Sequence, residues 1–169
     1  MKVIMVMAMT LDGKIARDSN HPANWTGKND KEKFVSITKR AGVMIMGSTT
    51  FDTIGRALPG RKSIVMTRNK TRKSSKNLIF TDKAPNLILK ELSDQGFEEV
   101  ALIGGTVINS LFAKADLIDE IYITLVPALF GRGLSLFDCG LDTRLELLGS
   151  EVLSDHSLVL RYGVQKKSS

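Results

Sequence analysis

Cysteine and histidine are scarce in this chain. A single cysteine, Cys139, excludes an intrachain disulfide. With only two histidines, His21 and His156, it offers too few soft ligands for a zinc centre. Neither histidine has a sequence neighbour that would make a nucleophilic triad. Long hydrophobic runs are also absent: Val3 to Met9, the first strand-like run, falls far short of the roughly 20 apolar residues of a membrane span. It lacks a small-residue cleavage site, which argues against a signal peptide. No low-complexity tract is present, and 43% hydrophobic residues are too many for a disordered or fibrous chain. The expectation is a cytoplasmic protein with no metal, no membrane contact and no nucleic-acid partner.

Acid is missing from one stretch in particular. Between Arg56 and Lys76 stand Arg56, Arg61, Lys62, Arg68, Lys70, Arg72, Lys73 and Lys76, with no aspartate or glutamate. This segment carries +8 against +6 for the whole chain, so the remainder is at −2. A nucleic-acid surface would interleave aromatics for stacking, and none occurs here. Lys70 to Lys76 reads equally as a solvated loop. Arg61 and Arg68 flank an apolar strand and suit a small phosphate or carboxylate ligand.

The 169 residues fit one domain, 1–169, with no repeat and no linker. Val3 to Met9 is apolar throughout, the pattern of a strand covered on both faces. The polar stretch through Gly13, Asn20, Pro22 and Gly27 reads as a long loop. A helix follows, capped by Asn29 or Asp30, with Phe34, Ile37 and Ala41 on one face. Further strands are expected at Val43 to Met46, Ser63 to Met66, Leu78 to Phe80 and Val100 to Ile103. Helices are expected after Gly47, from Pro85 to Gln95, and from Gly104-Gly105-Thr106 through Ala113. Asp119 to Leu125, Glu146 to Leu153 and Ser157 to Val164 read as closing strands. Such alternation predicts an α/β domain with a mainly parallel sheet and antiparallel strands at its C-terminal edge.

Twice the same arrangement recurs: a buried strand, then glycine, then hydroxyl residues opening a helix. One is Met44-Ile45-Met46-Gly47-Ser48-Thr49-Thr50, the other Ala101-Leu102-Ile103-Gly104-Gly105-Thr106. Glycine lets a phosphate approach the backbone, and the helix start presents unpaired N–H groups. Two such starts at neighbouring strand ends would hold a pyrophosphate between them. Neither is the G-x-G-x-x-G fingerprint, and either alone would be an ordinary turn.

Met44-Ile45-Met46-Gly47 with Thr50-Phe51, Ile54-Gly55-Arg56 and Leu58-Pro59-Gly60-Arg61-Lys62 resembles dihydrofolate reductase, as does Ile103-Gly104-Gly105. Met9-Thr10-Leu11-Asp12-Gly13-Lys14-Ile15-Ala16 and Trp25-Thr26-Gly27 resemble instead the reductase half of the riboflavin-biosynthesis deaminase-reductase. So do Leu117-Ile118-Asp119-Glu120, Pro127 and Gly131-Arg132-Gly133. The two families share one fold, and the resemblance spans nearly the whole chain. It implies a dihydrofolate-reductase-like three-layer sandwich that uses NADPH to reduce a small-molecule substrate. That substrate is an aminopyrimidine or pteridine, with 5-amino-6-(5-phosphoribosylamino)uracil favoured and dihydrofolate the alternative; an NADPH-binding protein with little catalysis is a third reading. Ile103 stands where the riboflavin reductases carry glutamate.

By the same resemblance, Asp30 is the carboxylate that anchors the substrate ring, against the plainer role of helix cap. Asp12 and Lys14 lie in the lid loop, where Lys14 either contacts a phosphoribosyl group or is solvated. Trp25, Phe34 and Arg61 fall to the substrate, Arg61 gripping an acidic tail or serving structure. The cofactor positions are Ala8, Ile15, Gly47, Ser48, Thr49, Thr50, Thr67, Arg68, Ile103, Gly104, Gly105, Thr106 and Val107. Ser48 and Thr50 would look the same as plain caps. Arg68 suits a ribose 2′-phosphate and so favours NADPH over NADH. Asp119 and Glu120 read as a strand-start pair rather than as an active-site acid. A homodimer is expected through the C-terminal strands, with the apolar run Ile121 to Phe130 as the pairing element.

Overall fold

A computed structural model of the chain describes residues 1–166. Ten strands and four helices follow one another: β1 (Lys2–Thr10), β2 (Lys14–Ala16), α1 (Lys28–Ala41), β3 (Val43–Gly47), α2 (Ser48–Ile54), β4 (Lys62–Met66) and β5 (Leu78–Thr81). Then come α3 (Pro85–Asp94), β6 (Glu99–Leu102), α4 (Thr106–Lys114), β7 (Glu120–Val126), β8 (Leu134–Ser135), β9 (Leu145–Val152) and β10 (Leu158–Val164).

Strand alternation builds the layers. In β1, Val3 and Met5 pack with Ile88 and Leu92 of α3 and with Ile108 and Phe112 of α4. Ile4 and Val6 point the other way, onto Ile37 and Ala41 of α1 and the partly buried Phe51 and Ile54 of α2. Because successive side chains leave opposite faces, an unbroken apolar strand requires helices on both sides. The result is the expected three-layer sandwich. Its eight-stranded sheet runs β5-β4-β3-β6-β1-β7-β10-β9. Pairing is parallel from β5 to β7, and β10 is antiparallel to both β7 and β9.

Three local expectations are corrected. The stretch 13–27 is not all loop: Lys14–Ala16 forms β2, which pairs with β8 in a second small sheet. Helix α1 starts two or three residues earlier than its polar residues suggest. Gly27 occupies the N-cap at φ 90°, a conformation that disfavours a side chain, and neither Asn29 nor Asp30 caps. The Asn29 amide instead donates to the Ser154 hydroxyl at 2.9 Å. Finally, the apolar run Ile121 to Phe130 is no exposed edge. Its strand part is β7, hydrogen-bonded on both sides by β1 and β10. The exposed edge is β9, all eight of whose residues are exposed.

Asp119 and Glu120 serve structure, as expected. Asp119 Oδ2 accepts the Val3 amide at 2.8 Å. Glu120 is buried and paired with Lys2 and Arg161.

Candidate active site

The parallel strands end at one side of the sheet, where open α/β sheets place their ligands. A cleft of about 1450 Å³ lies there. That is larger than the roughly 300–1,000 Å³ of an ordinary small-molecule pocket and leaves room for two ligands side by side. Its floor carries both glycine turns. The Gly47 amide donates to the Gly104 carbonyl at 2.8 Å, joining the end of β3 to the turn before α4. The Gly104–Gly105 peptide is cis. A Cβ on Gly104 would sit 3.0 Å from the Met7 thioether, and one on Gly105 3.3 Å from the Thr50 hydroxyl. Neither α2 nor α4 has a side-chain cap, so their first-turn amides remain available toward the cleft.

Ala8, Ile15, Gly47 to Thr50, Thr67, Arg68, Ile103, Gly105, Thr106 and Val107 all line this cleft, as do Trp25, Asp30, Phe34 and Arg61. Gly104 is buried and is not among the lining residues. The two lid-loop residues are also off the lining: neither Asp12 nor Lys14 lines the cleft, although Ile15 and Ala16 beside them do. The Asp12 carboxylate is taken up by the Thr10 hydroxyl and by the amides of Phe130 and Gly131. The Thr10 hydroxyl, then the two amides, hold it down to about 2 despite the opposing cost of partial burial.

Asp30 projects from the first turn of α1 and is half-buried. Arg61 is 6% exposed and has no carboxylate partner among the described residues. Its guanidinium donates to the Thr38 hydroxyl and, at 3.3 Å, to the Pro59 carbonyl, and burial pushes its pKa down. A buried cation lacking a counter-ion costs free energy that an anionic ligand would recover. Asp30 and Arg61 therefore give the cleft lining a carboxylate and a guanidinium, with Phe34 on the same helix as Asp30.

The basic segment resolves into separate jobs. Arg72 is half-buried rather than free: it makes a bidentate pair with Asp52 of α2, both bonds 2.7 Å, and lies over the Phe80 ring. Lys70 pairs with Asp82. Arg56 and Arg68 remain on the cleft wall.

Sequence reasoning missed two walls. The connection from Asp18 to Thr26 lines the cleft almost continuously. A strap through Gly133, Leu134, Ser135, Phe137 and Asp138 lines it as well. Helix α4 holds the strap: Thr106 Oγ1 donates to the Ser135 carbonyl at 2.6 Å, Asn109 Nδ2 to the Leu136 carbonyl at 3.1 Å, and Ser110 Oγ accepts the Asp138 amide at 2.9 Å. The i, i+3, i+4 spacing of these three polar residues was the available signal. Among the described residues no three of His, Cys, Asp and Glu converge as a metal set, and no helix is long and apolar enough to cross a membrane.

Known proteins share this architecture. Dihydrofolate reductase from Bacillus subtilis (strain 168) is 34% identical over 127 residues, covering 73% of this chain and 68% of that protein. A Shewanella sp. PV-4 protein provisionally assigned to riboflavin biosynthesis superposes with a TM-score of 0.83 at 26% identity, covering 98% of this chain and all of the other. Dihydrofolate reductase from Enterococcus faecalis, solved with NADP(H), superposes with a TM-score of 0.76 at 19% identity over 98% of this chain and 97% of that one, which shows the fold. The family defined by the RibD C-terminal domain matches residues 1–159. With that match running from the first strand into the last, and the same sheet in its solved relatives, the chain belongs to the reductase-like RibD C-terminal domain family.

Proposed function

We propose that the protein is an NADPH-dependent reductase of a riboflavin-pathway aminopyrimidine, with 5-amino-6-(5-phosphoribosylamino)uracil as the favoured substrate. The observation that carries this reading is the joining of both glycine turns in one cleft that Asp30 and Arg61 also line. The family match and the Shewanella relative favour the riboflavin pathway. The NADP(H) bound by the Enterococcus relative supports the cofactor.

The residues present fit a dinucleotide. At Gly104 and Gly105 a Cβ would close the space over Met7 and Thr50, while uncapped α4 amides and the Thr106 hydroxyl suit a pyrophosphate. Thr67 and Arg68, after β4, would take a ribose 2′-phosphate, and Ala8, Ile15 and Ile103 would flank the nicotinamide end. When bound, NADPH supplies the hydride. Asp30 would accept hydrogen bonds from the amidine edge of the substrate ring and stabilise positive charge as a ring nitrogen gains its proton. Arg61 would neutralise the substrate's anionic group, a phosphate in the favoured substrate. Trp25, Phe34 and the connection 18–26 would cover the ring and exclude water.

Dihydrofolate is the second reading, because Ile103 leaves Asp30 as the carboxylate facing the ring. Scoring a panel of aminopyrimidines and pterins for NADPH oxidation separates them; no oxidation with any member defeats the reductase reading. A cytoplasmic location accords with the lone cysteine. We also propose a homodimer. Its support is β9, which leaves one backbone edge unpaired and exposes Leu145, Leu147, Leu148 and Val152.

A further inference from the structure

Asp12 lies outside the cleft wall, yet two loops converge on it. Its Oδ1 accepts the Thr10 hydroxyl at 2.5 Å and the Phe130 amide at 3.1 Å, and its Oδ2 accepts the Gly131 amide at 2.7 Å. The Thr10 hydroxyl, fully buried, accepts in turn the Lys14 amide at 2.9 Å. Nearby, the Leu11 amide donates to the Ala128 carbonyl at 3.0 Å. One carboxylate thus closes the turn after β1 and ties it to a segment 118 residues away. Such charge-assisted bonds are roughly twice as strong as neutral ones.

The tethered residue is Phe130, whose ring meets Trp25 at 4.9 Å and His21 at 5.4 Å between centroids, with the Arg17 guanidinium 4.1 Å from its centre. Trp25 and His21 belong to the connection that lines the cleft. The hydrogen bonds found within 18–25 stay inside it, from the Asn20 and His21 amides to Asp18. His21 Nε2 is buried with no partner among the described residues. Ring packing on Phe130, rather than polar anchoring, therefore holds this wall in place.

We infer that Asp12 is a positioning residue: through Phe130 its carboxylate sets where Trp25 stands in the cleft wall. Calling that wall the substrate's rests on the reductase reading; the placement of Trp25 does not.

Trp25 is the only tryptophan, so its fluorescence reads the coupling directly in the protein without substrate. Asp12→Ala should red-shift the emission and raise iodide quenching. Asp12→Asn, which loses the charge and one acceptor, should shift it less. Phe130→Leu should reproduce the Trp25 change with Asp12 intact. With active enzyme, Asp12→Asn should raise KM for the pyrimidine or pterin about tenfold, with kcat and NADPH affinity changed less than about twofold. Should Asp12→Ala fail to fold, Asp12→Asn and Phe130→Leu carry the test. Wild-type emission and quenching in both folded variants would overturn the proposal, as would a collapse of kcat in Asp12→Asn with Trp25 unmoved. A wild-type protein that fails to oxidise NADPH with every aminopyrimidine and pterin tested would sink the reductase reading, while the Trp25 measurements would still decide the role of Asp12.

Discussion

The amide of Gly47 and the carbonyl of Gly104 meet at 2.8 Å, so two glycine turns 57 positions apart form one continuous floor. Gly104 is held at φ 93°, and a Cβ there would come within 3.0 Å of the Met7 thioether. Gly104→Ala therefore combines backbone strain with a crowded side chain. It should cost about 1–3 kcal/mol of stability and weaken NADPH binding as the floor shifts. Thermal melts and cofactor titration check both effects; an unchanged melt would show that Met7 gives way freely.

Asp30→Asn keeps the side-chain shape and removes the charge. Since Gly27, not Asp30, is the N-cap, no cap bond is lost, and the melting temperature should fall little. Turnover should fall roughly 10²-fold, the scale of a positioned acid–base group, with NADPH affinity retained. Full activity of the asparagine variant on a proven substrate would reduce Asp30 to surface charge at the helix start.

Arg68→Ala tests the cofactor. Arg68 is exposed on the cleft wall, without an acidic partner among the described residues. Loss of a charge-assisted phosphate contact costs roughly 1.5–3 kcal/mol, about 10- to 150-fold in affinity. That loss should appear for NADPH and not for NADH in fluorescence titrations. Equal losses for both would remove Arg68 from the 2′-phosphate.

Glu120 ties stability to pH. Burial pushes its carboxyl up, but Arg161 and Lys2 outweigh that and hold it down to about 2. A folded pKa below the unfolded value of about 4.5 means the pair stabilises fully above pH of roughly 5. That contribution is lost as pH falls toward about 2. Glu120→Gln should lower the melting temperature at neutral pH by about 2–8 °C, equivalent to about 1–2 kcal/mol, and flatten the acid slope. A variant with the wild-type slope would place the acid sensitivity elsewhere.

For assembly, light scattering at micromolar concentration should give twice the chain mass, and Leu147→Lys in β9 should return it to one. Leu147 is 57% exposed, so the substitution leaves the core intact. A wild-type monomer would overturn the dimer.

Much of this architecture is written in local pattern. Unbroken apolar strands such as Val3 to Met9 and Val43 to Met46 demand helices on both faces, and strand–glycine–hydroxyl turns demand helix starts at their ends. Those constraints act between near neighbours, so the layers and the glycine turns, with the cleft residues they carry, can be read in order along the chain. Other features depend on partners far away in sequence. Gly27 rather than Asn29 starts α1, Asn29 being bonded to Ser154. Arg72 is held against the fold because Asp52 and Phe80 come to it from α2 and β5. The run Ile121 to Phe130 contributes an interior strand because β10 returns beside it. Asp12 becomes a tether because Phe130 and Gly131 present amides that no spacing rule could bring to it. A carboxylate or guanidinium takes whichever partner the folded chain delivers within hydrogen-bond reach, and that partner's identity is a property of the assembled sheet.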